Sequence, residues 1–325
     1  MRAVWYERPG RAADVLQVGE MPDPTPGAGE VRVRLSRSGI NPGDTKKRAD
    51  WAGYGMPYPR VIPHSDGAGV IDAVGAGVDP GRAGRRVWVF GAQSYRPFGT
   101  AAQMTVVPSG QAVDLPDEVS DDLGASLGIP GITAHRAVFA DGPVTGRTVL
   151  VHGALGGVGA LAAQLAVWGG AHVIATVRRQ GDLSQVTVPG APVVALDDAD
   201  PAAAIRAHAP EGVDRIVEVS FSDNVDLDAA VAGNGAVITA YATRADRPDF
   251  PFWPMLFSNV TIRLIGSDDF PAEARQQAAT DLTTAARDGA LSVRIGAPLP
   301  LERAAEAHDR VDAGTRERVL LAIPE

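Results

Sequence analysis

Apolar and polar positions along this chain change their period once, near Ser120. Before that point, short apolar runs are cut at close intervals by proline and glycine. Glu30-Val31-Arg32-Val33-Arg34-Leu35 alternates with period two, as a half-buried strand does. Leu16–Val18, Gly67–Gly75, Arg86–Phe90 and Thr100–Val107 read as further strands, and the proline-rich Met21–Gly27 reads as a rigid connector. Many short strands without a long helix predict a rolled, barrel-like β domain. After Ser120, Asp121–Leu127 and Thr133–Ala140 predict helices on either side of Pro130-Gly131. Strands and helices then alternate. The strands are Val149–Val151, His172–Val177, Pro192–Leu196, Val213–Val219, Gly235–Ala240 and Val260–Ile265; Ala160–Ala166, Ala202–His208 and Leu227–Ala232 are helical. That alternation predicts an α/β fold with a doubly wound parallel sheet of the Rossmann kind. The tail predicts a helix Ala272–Arg287, a strand Val293–Ile295, a helix Leu301–Val311 and a strand Arg318–Ile323 that returns to the first domain.

Composition narrows the classes. The 325 residues are 45% hydrophobic and 21% charged, enough for two globular domains. A net charge of −9 argues against nucleic acid or an anionic membrane as main partner. No cysteine is present, which excludes disulfides, cysteine-ligated zinc and a thiol nucleophile. Met1–Glu7 has no apolar core of signal-peptide length. The uncharged stretch Thr148–Val177 is interrupted by His152 and clustered glycines, so it reads as strand, turn and helix rather than a membrane span. The cytoplasm is the expected location.

The candidate chemistry centres on that stretch. Val149–Val151 feeds Gly153-Ala154-Leu155-Gly156-Gly157-Val158-Gly159, which opens into a helix. Strand, glycine turn and helix N-terminus together predict a pyrophosphate cradle, with Ala154 where G-x-G-x-x-G has its first glycine. Of Gly156 and Gly159, one is expected to admit the phosphates and the other to let the helix pack close to the sheet. Where NAD-binding relatives of this turn carry a carboxylate at the end of the second strand, this chain has Val177-Arg178-Arg179. Paired guanidinium groups suit a 2′-phosphate, so NADPH is the expected cofactor; two solvated surface arginines are the alternative. Ser220, Tyr241 and Ser267 follow strand ends, where further cofactor contacts are expected.

Four collinear stretches carry a family resemblance. They are Ser38-Gly39-Ile40-Asn41-Pro42-Gly43-Asp44, Ile62-Pro63-His64-Ser65-Asp66-Gly67-Ala68-Gly69-Val70, Leu127-Gly128-Ile129-Pro130-Gly131-Ile132-Thr133-Ala134 and the glycine turn. With the β-rich front and mixed tail, they resemble medium-chain dehydrogenases/reductases, and within them the zinc-independent, zeta-crystallin-like quinone oxidoreductases. The resemblance implies a GroES-like substrate domain over 1–120 and 268–325 and a Rossmann NADPH domain over 121–267. It implies Asn41, Asp44 and Thr133 as residues at the reacting atoms, with Asn41 donating to a substrate oxygen or serving only the turn before Pro42. Zinc-dependent relatives have a cysteine near Asn41 and Gly-His-Glu at His64-Ser65-Asp66, so no zinc is expected. Asp44-Thr45-Lys46-Lys47-Arg48 departs from the family's Asp-Thr-Tyr-Ile-Arg, and Trp51 or Tyr54 is the candidate replacement aromatic at the substrate. Phe250–Met255 is expected to line the cleft or cover a subunit contact. The implied reaction is hydride transfer from NADPH to a quinone, the proton coming from solvent. Reduction of an enone or enoyl thioester, with Lys46-Lys47-Arg48 meeting a carrier's phosphates, is the alternative. A non-catalytic NADPH-binding structural or RNA-binding protein is a third reading. The implied assembly is a homodimer paired through the edge strand Val260–Ile265.

Overall fold

Period-two alternation at the front of the chain produces the long strand that the first sheet is built on. In the computed structural model, which describes residues 1–324, β1 (Arg2–Trp5), α1 (Ala12–Val15) and β2 (Gln17–Glu20) precede it. The long strand, β3 (Glu30–Gly39), turns Val31, Val33 and Leu35 inward. Its outward Arg32 pairs across strands with Asp72 at 2.8 Å. Next come α2 (Pro42–Arg48), β4 (Asp66–Val74), β5 (Arg86–Val89), β6 (Met104–Pro108), β7 (Ala112–Asp114) and α3 (Asp121–Gly124). Pro42 occupies the first turn of α2, and the Asp44 carboxylate accepts from the Asn41 backbone N–H at 2.7 Å, which caps the helix.

The second half is a parallel α/β unit. It holds α4 (Ile129–Phe139), β8 (Thr148–Val151), α5 (Gly157–Trp168), β9 (His172–Val177), β10 (Val193–Ala195), α6 (Pro201–His208) and β11 (Val213–Glu218). α7 (Phe221–Val231), β12 (Ala232–Ala240), α8 (Phe252–Phe257) and β13 (Thr261–Leu264) follow, then α9 (Ala272–Arg287). The six strands lie in the order β10-β9-β8-β11-β12-β13, every pair parallel. The order reverses between β8 and β11, the switch point where such sheets bind ligands. Leu150, Ile174, Ile216 and Ile238 from the strands pack with Ile205, Phe221 and Val225 from the helices.

β14 (Leu299–Pro300), α10 (Ala304–Asp312) and β15 (Leu320–Ala322) end the chain. β15 pairs antiparallel with β3, so the tail does return to the front sheet. That sheet has seven strands in the order β14-β15-β3-β4-β5-β7, with β6 also on β3. Val33, Ile62, Ile71, Val89, Leu301 and Leu321 form its core. Contacts divide the chain into one unit of Met1–Pro130, Ala279–Arg287 and the residues from Ser292 onward, and a second of Gly131–Ala278 with Asp288–Leu291.

Several expected elements change. Val293–Ile295 is not a strand; only Ile295 bridges, to Arg318. The strand expected from Thr100 starts at Met104, because the Thr100 hydroxyl and the 101–102 backbone bind elsewhere. The helices α2 and α8 had no predicted counterpart, and α7 begins six residues before the expected Leu227. Short helices with proline at or near their start have too few residues to show a 3.6-residue period. Among the described residues, no helix is long and apolar enough to cross a membrane.

Candidate active site

The glycine turn has the geometry its composition predicts. β8 ends at Val151, and the His152 and Ala154 N–H groups donate to Val217 and Thr176 carbonyls, anchoring the turn to β11 and β9. Gly153 has φ +68°, a left-handed conformation that glycine adopts without cost. A Cβ on Gly159 would come within 2.3 Å of the Gly153 carbonyl oxygen, so this is the glycine that lets α5 pack close. Gly156 caps α5 and is exposed with Gly157, while Leu155 and Val158 are half-buried and Ala154 buried. The first N–H groups of the twelve-residue α5 have no intrahelical partner and face the turn with positive dipole.

Arg178 and Arg179 are exposed immediately after β9, and their guanidinium groups make no hydrogen bond or ion pair among the described residues. The neighbouring carboxylates of Asp197 and Asp198 are engaged with Gln180 at 2.8 and 3.2 Å. At the C-terminal ends of β12 and β13, a cavity of about 530 Å³ is lined by Phe221, Tyr241, Thr243, Phe250, Ile265 and Gly266 among others. Tyr241 lies in its wall, and burial, then the Glu218 carboxylate, push the phenol well above its usual range. Ser220 caps α7 without a side-chain bond to the helix backbone; its hydroxyl donates instead to the Asp223 side chain in the first turn at 2.7 Å. Ser267 is half-buried just past the cavity's Gly266, and Thr133 is buried in α4.

In the front unit, Asn41 and Asp44 belong to a buried charged group that includes Asp66 and Arg318. Arg318 donates to Asp66 Oδ2 at 2.9 Å, to Asn41 Oδ1 at 2.7 Å and to the Ile40 and Ala125 carbonyls. Asn41 Nδ2 donates to Asp66 Oδ2 at 2.8 Å, leaving one amide hydrogen for another acceptor. Burial raises both Asp44 and Asp66; Asp66 then pushes Asp44 up to about 7, while Arg318 opposes the rise at Asp66.

His64 has no ring nitrogen left for a metal. Its Nδ1 lies 2.8 Å from Ser38 Oγ and its Nε2 lies 2.8 Å from His308 Nε2. Arginine only donates, so Arg48 fixes His308 Nδ1 as an acceptor and its Nε2 as the donor. The direction then runs from His308 to His64, Ser38, Thr100 and the Asp66 carbonyl. Both imidazoles are therefore neutral; burial, then the partner histidine, lowers His64, and burial, then Arg48, takes His308 down to about 3. Ser65 is buried where the zinc-dependent relatives place their histidine.

One expectation changes here, that of the basic triplet. Arg48 is buried, bonded to His308, to Asp312 at 3.0 Å and to the Gly10 carbonyl, so Lys46-Lys47-Arg48 is not a surface triplet for a carrier's phosphates. Trp51 and Tyr54 are 68% and 93% exposed; the first lies under Lys46 Nζ at 5.0 Å and neither packs into the front core.

Sequence reasoning missed Asp66, His308, Arg318, Glu218 and Asp228 as partners of the expected residues. Arg318 on an apolar strand and His152 in an apolar run were the available signals. His152, Glu218 and Asp228, all buried, are the one group of three metal-ligand types with atoms mutually within 4.8 Å among the described residues. Two ligands of a tetrahedral zinc stand about 3.4 Å apart. His152 Nε2 lies 2.9 Å from Asp228 Oδ1, the length of a direct hydrogen bond between the two side chains.

A glycine turn on a six-stranded doubly wound sheet, in one chain with a unit of short antiparallel strands, is the architecture of the two-domain dinucleotide oxidoreductases. Residues 27–117 match the alcohol dehydrogenase GroES-like domain, and 157–282 match the zinc-binding dehydrogenase domain. Rat quinone oxidoreductase is 32% identical over 297 residues, covering 89% of this chain and 87% of its own. The human quinone oxidoreductase is 31% identical over 299 residues, covering 90% and 88%. Among solved structures, a mycobacterial quinone oxidoreductase superposes with TM-score 0.85 at 26% identity over 99% of both chains. A mycobacterial structure complexed with NADPH gives 0.83 at 25% over all of both. An NAD-dependent alcohol dehydrogenase gives 0.87 at 26%, also over all of both. The chain belongs to the quinone oxidoreductase family of the medium-chain dehydrogenases/reductases.

Proposed function

We propose that this chain is an NADPH-dependent quinone reductase that works without a metal. The observation that carries the reading is the pair Arg178 and Arg179, exposed and unengaged after β9, where a carboxylate would repel a 2′-phosphate. The quinone oxidoreductase relatives and the NADPH complex of a similar mycobacterial structure point the same way. The bound nicotinamide would supply a hydride, and the quinone takes it with a proton from solvent to become a hydroquinone. The protein's share is placement: the turn and the N-terminus of α5 hold the pyrophosphate, and the cavity around Tyr241, with Ser220 and Ser267 at its margins, takes the rest of the cofactor. Asn41, Asp44 and Thr133 are the residues proposed for the reacting atoms. Metal independence is supported by the missing cysteine, by Ser65 and by the fully engaged His64 ring. Two copies are proposed to pair through β13, beside the exposed aromatic face of α8.

The test is NADPH oxidation against quinones, enones and enoyl thioesters. Turnover of quinones in preference to the others is expected. Turnover confined to enones or thioesters, or to none of the panel, overturns the reading.

A further inference from the structure

A buried ionisable cluster lies directly behind the dinucleotide turn. His152 is on the residue before Gly153, Glu218 ends β11 and Asp228 is in α7; all three are 0% exposed. His152 Nδ1 is 2.9 Å from Thr176 Oγ1 on β9, and its Nε2 is 2.9 Å from Asp228 Oδ1 and 3.6 Å from Glu218 Oε2. Asn224 Nδ2 donates to both Glu218 carboxyl oxygens at 3.0 and 3.1 Å. The Ser220 N–H donates to Glu218 Oε1.

The charges do not balance. Burial disfavours the charged imidazole, the Asp228 hydrogen bond more than offsets this and holds His152 above its usual value, and His152 can supply at most one positive charge against two carboxylates. No lysine or arginine among the described residues pairs with any of the three. Asp228 Oδ2 is buried without a hydrogen-bond partner. An unpaired negative charge out of reach of water is costly, and one proton shared into such a cluster lowers that cost. Glu218, with a carboxyl oxygen within 4.8 Å of Asp228, is the group to carry it. Burial, opposed by His152 and reinforced by Asp228, pushes Glu218 up to about 7. The titratable groups facing it are His152 from the turn, Asp228 from α7 and Tyr241 after β12.

The cluster is coupled to the cofactor site through the backbone. A Cβ at Gly153 would meet the side chain of Val219, the residue after Glu218, at 3.0 Å. The Tyr241 N–H donates to the Glu218 carbonyl at 3.1 Å, so the same residue supports the cavity wall.

We propose that Glu218 carries a proton when the turn binds a dinucleotide, and that losing this proton weakens binding. Glu218 and Asp228 are then positioning residues. Deprotonation leaves a net negative charge behind a turn that must accept the charged pyrophosphate, and it sets two carboxylates on β11 and α7 against each other. The inference rests on the turn being the dinucleotide site.

The experiment is calorimetric titration of the full chain with NADPH and with ADP-ribose, whose pyrophosphate does not titrate near neutrality. Wild type, Glu218→Gln and Asp228→Asn are compared. For wild type, the Kd of both probes rises about tenfold between about pH 6.5 and about pH 8.5, as the loss of one linked proton requires. Glu218→Gln, a permanently neutral mimic, binds at the higher pH as tightly as wild type does at the lower, and Asp228→Asn has a flat profile. A wild-type Kd that does not change, or a rise that persists in Glu218→Gln, overturns the proposal. Absence of binding at every pH overturns the dinucleotide reading and this one with it. If the variants do not fold, amide exchange of 152–159 in wild type, corrected for intrinsic rate, gives the same answer: protection falls above neutrality or the proposal fails.

Discussion

At the scale of single residues, the glycines of the motifs are set by what lies against them. A Cβ on Gly128 would meet Asp66 Oδ1 at 2.1 Å, and one on Gly39 would meet Arg318 Nη2 at 2.2 Å. Both glycines make room for the buried Asp66–Arg318 pair. Around Gly159 the neighbours are all backbone, of Gly153 and His152, which a side-chain rotation cannot relieve. Replacing Gly159 with alanine must push α5 away from the turn and misplace its N–H groups. The expected cost is about 1–3 kcal/mol of stability, with a disproportionate loss of dinucleotide affinity. Thermal melts with and without NADPH check this. Unchanged stabilisation by NADPH in Gly159→Ala would contradict it.

At the scale of elements, the sheet edge makes the sharpest statement. β13 is the last strand of the parallel sheet, and Leu264 on it is 75% exposed. Phe252, Trp253 and Phe257 on α8 are exposed; Trp253 stacks on Phe257 and meets Phe252 edge to face. An apolar patch beside an open edge suits the proposed pairing of two copies. Light scattering is expected to give twice the 33.8 kDa chain mass for wild type and the single mass for Trp253→Glu with Leu264→Glu. A monomeric wild type would sink the dimer. Elements also show what the sequence could reveal. All six parallel strands and the glycine turn were legible, because buried apolar runs between helices have few other readings. α8 was not, since Phe252-Trp253-Pro254 carries no helical period, and neither was the start of α7, where Ser220 and Asp223 look like turn residues. The candidate site was legible where backbone geometry dictates it, at 153–159. It was illegible where partners come from distant segments: nothing local to Asn41 announces Arg318, 277 positions later.

At the scale of the whole molecule, buried titratable groups oppose one another. Asp44 and Glu218 are held up to about 7 from ordinary values of 3.8 and 4.5, so the folded state keeps protons that the unfolded chain loses. Their contribution to stability is present below the ordinary values and is lost as pH rises toward about 7. His64 and His308 are held below 6.5, so the unfolded chain takes up protons first, and stability falls as pH drops below 6.5 toward the His308 value of about 3. The opposing slopes overlap in mildly acid solution, where the melting temperature of wild type is expected to be nearly flat. Asp44→Asn removes one slope, so its melting temperature relative to wild type should climb as pH goes from about 4 to about 7. A constant difference across that range would show that Asp44 does not titrate there.

The central claim is that a phosphorylated dinucleotide, gripped by Arg178 and Arg179, reduces a quinone. The most direct measurement is kcat/KM for NADPH and for NADH with one quinone, in wild type and in Arg178→Ala with Arg179→Ala. NADPH should be strongly preferred by wild type, and the double variant should lose about ten- to a hundredfold with NADPH while NADH is unaffected. Equal use of the two cofactors by wild type, or a double variant that keeps its preference, would contradict the account.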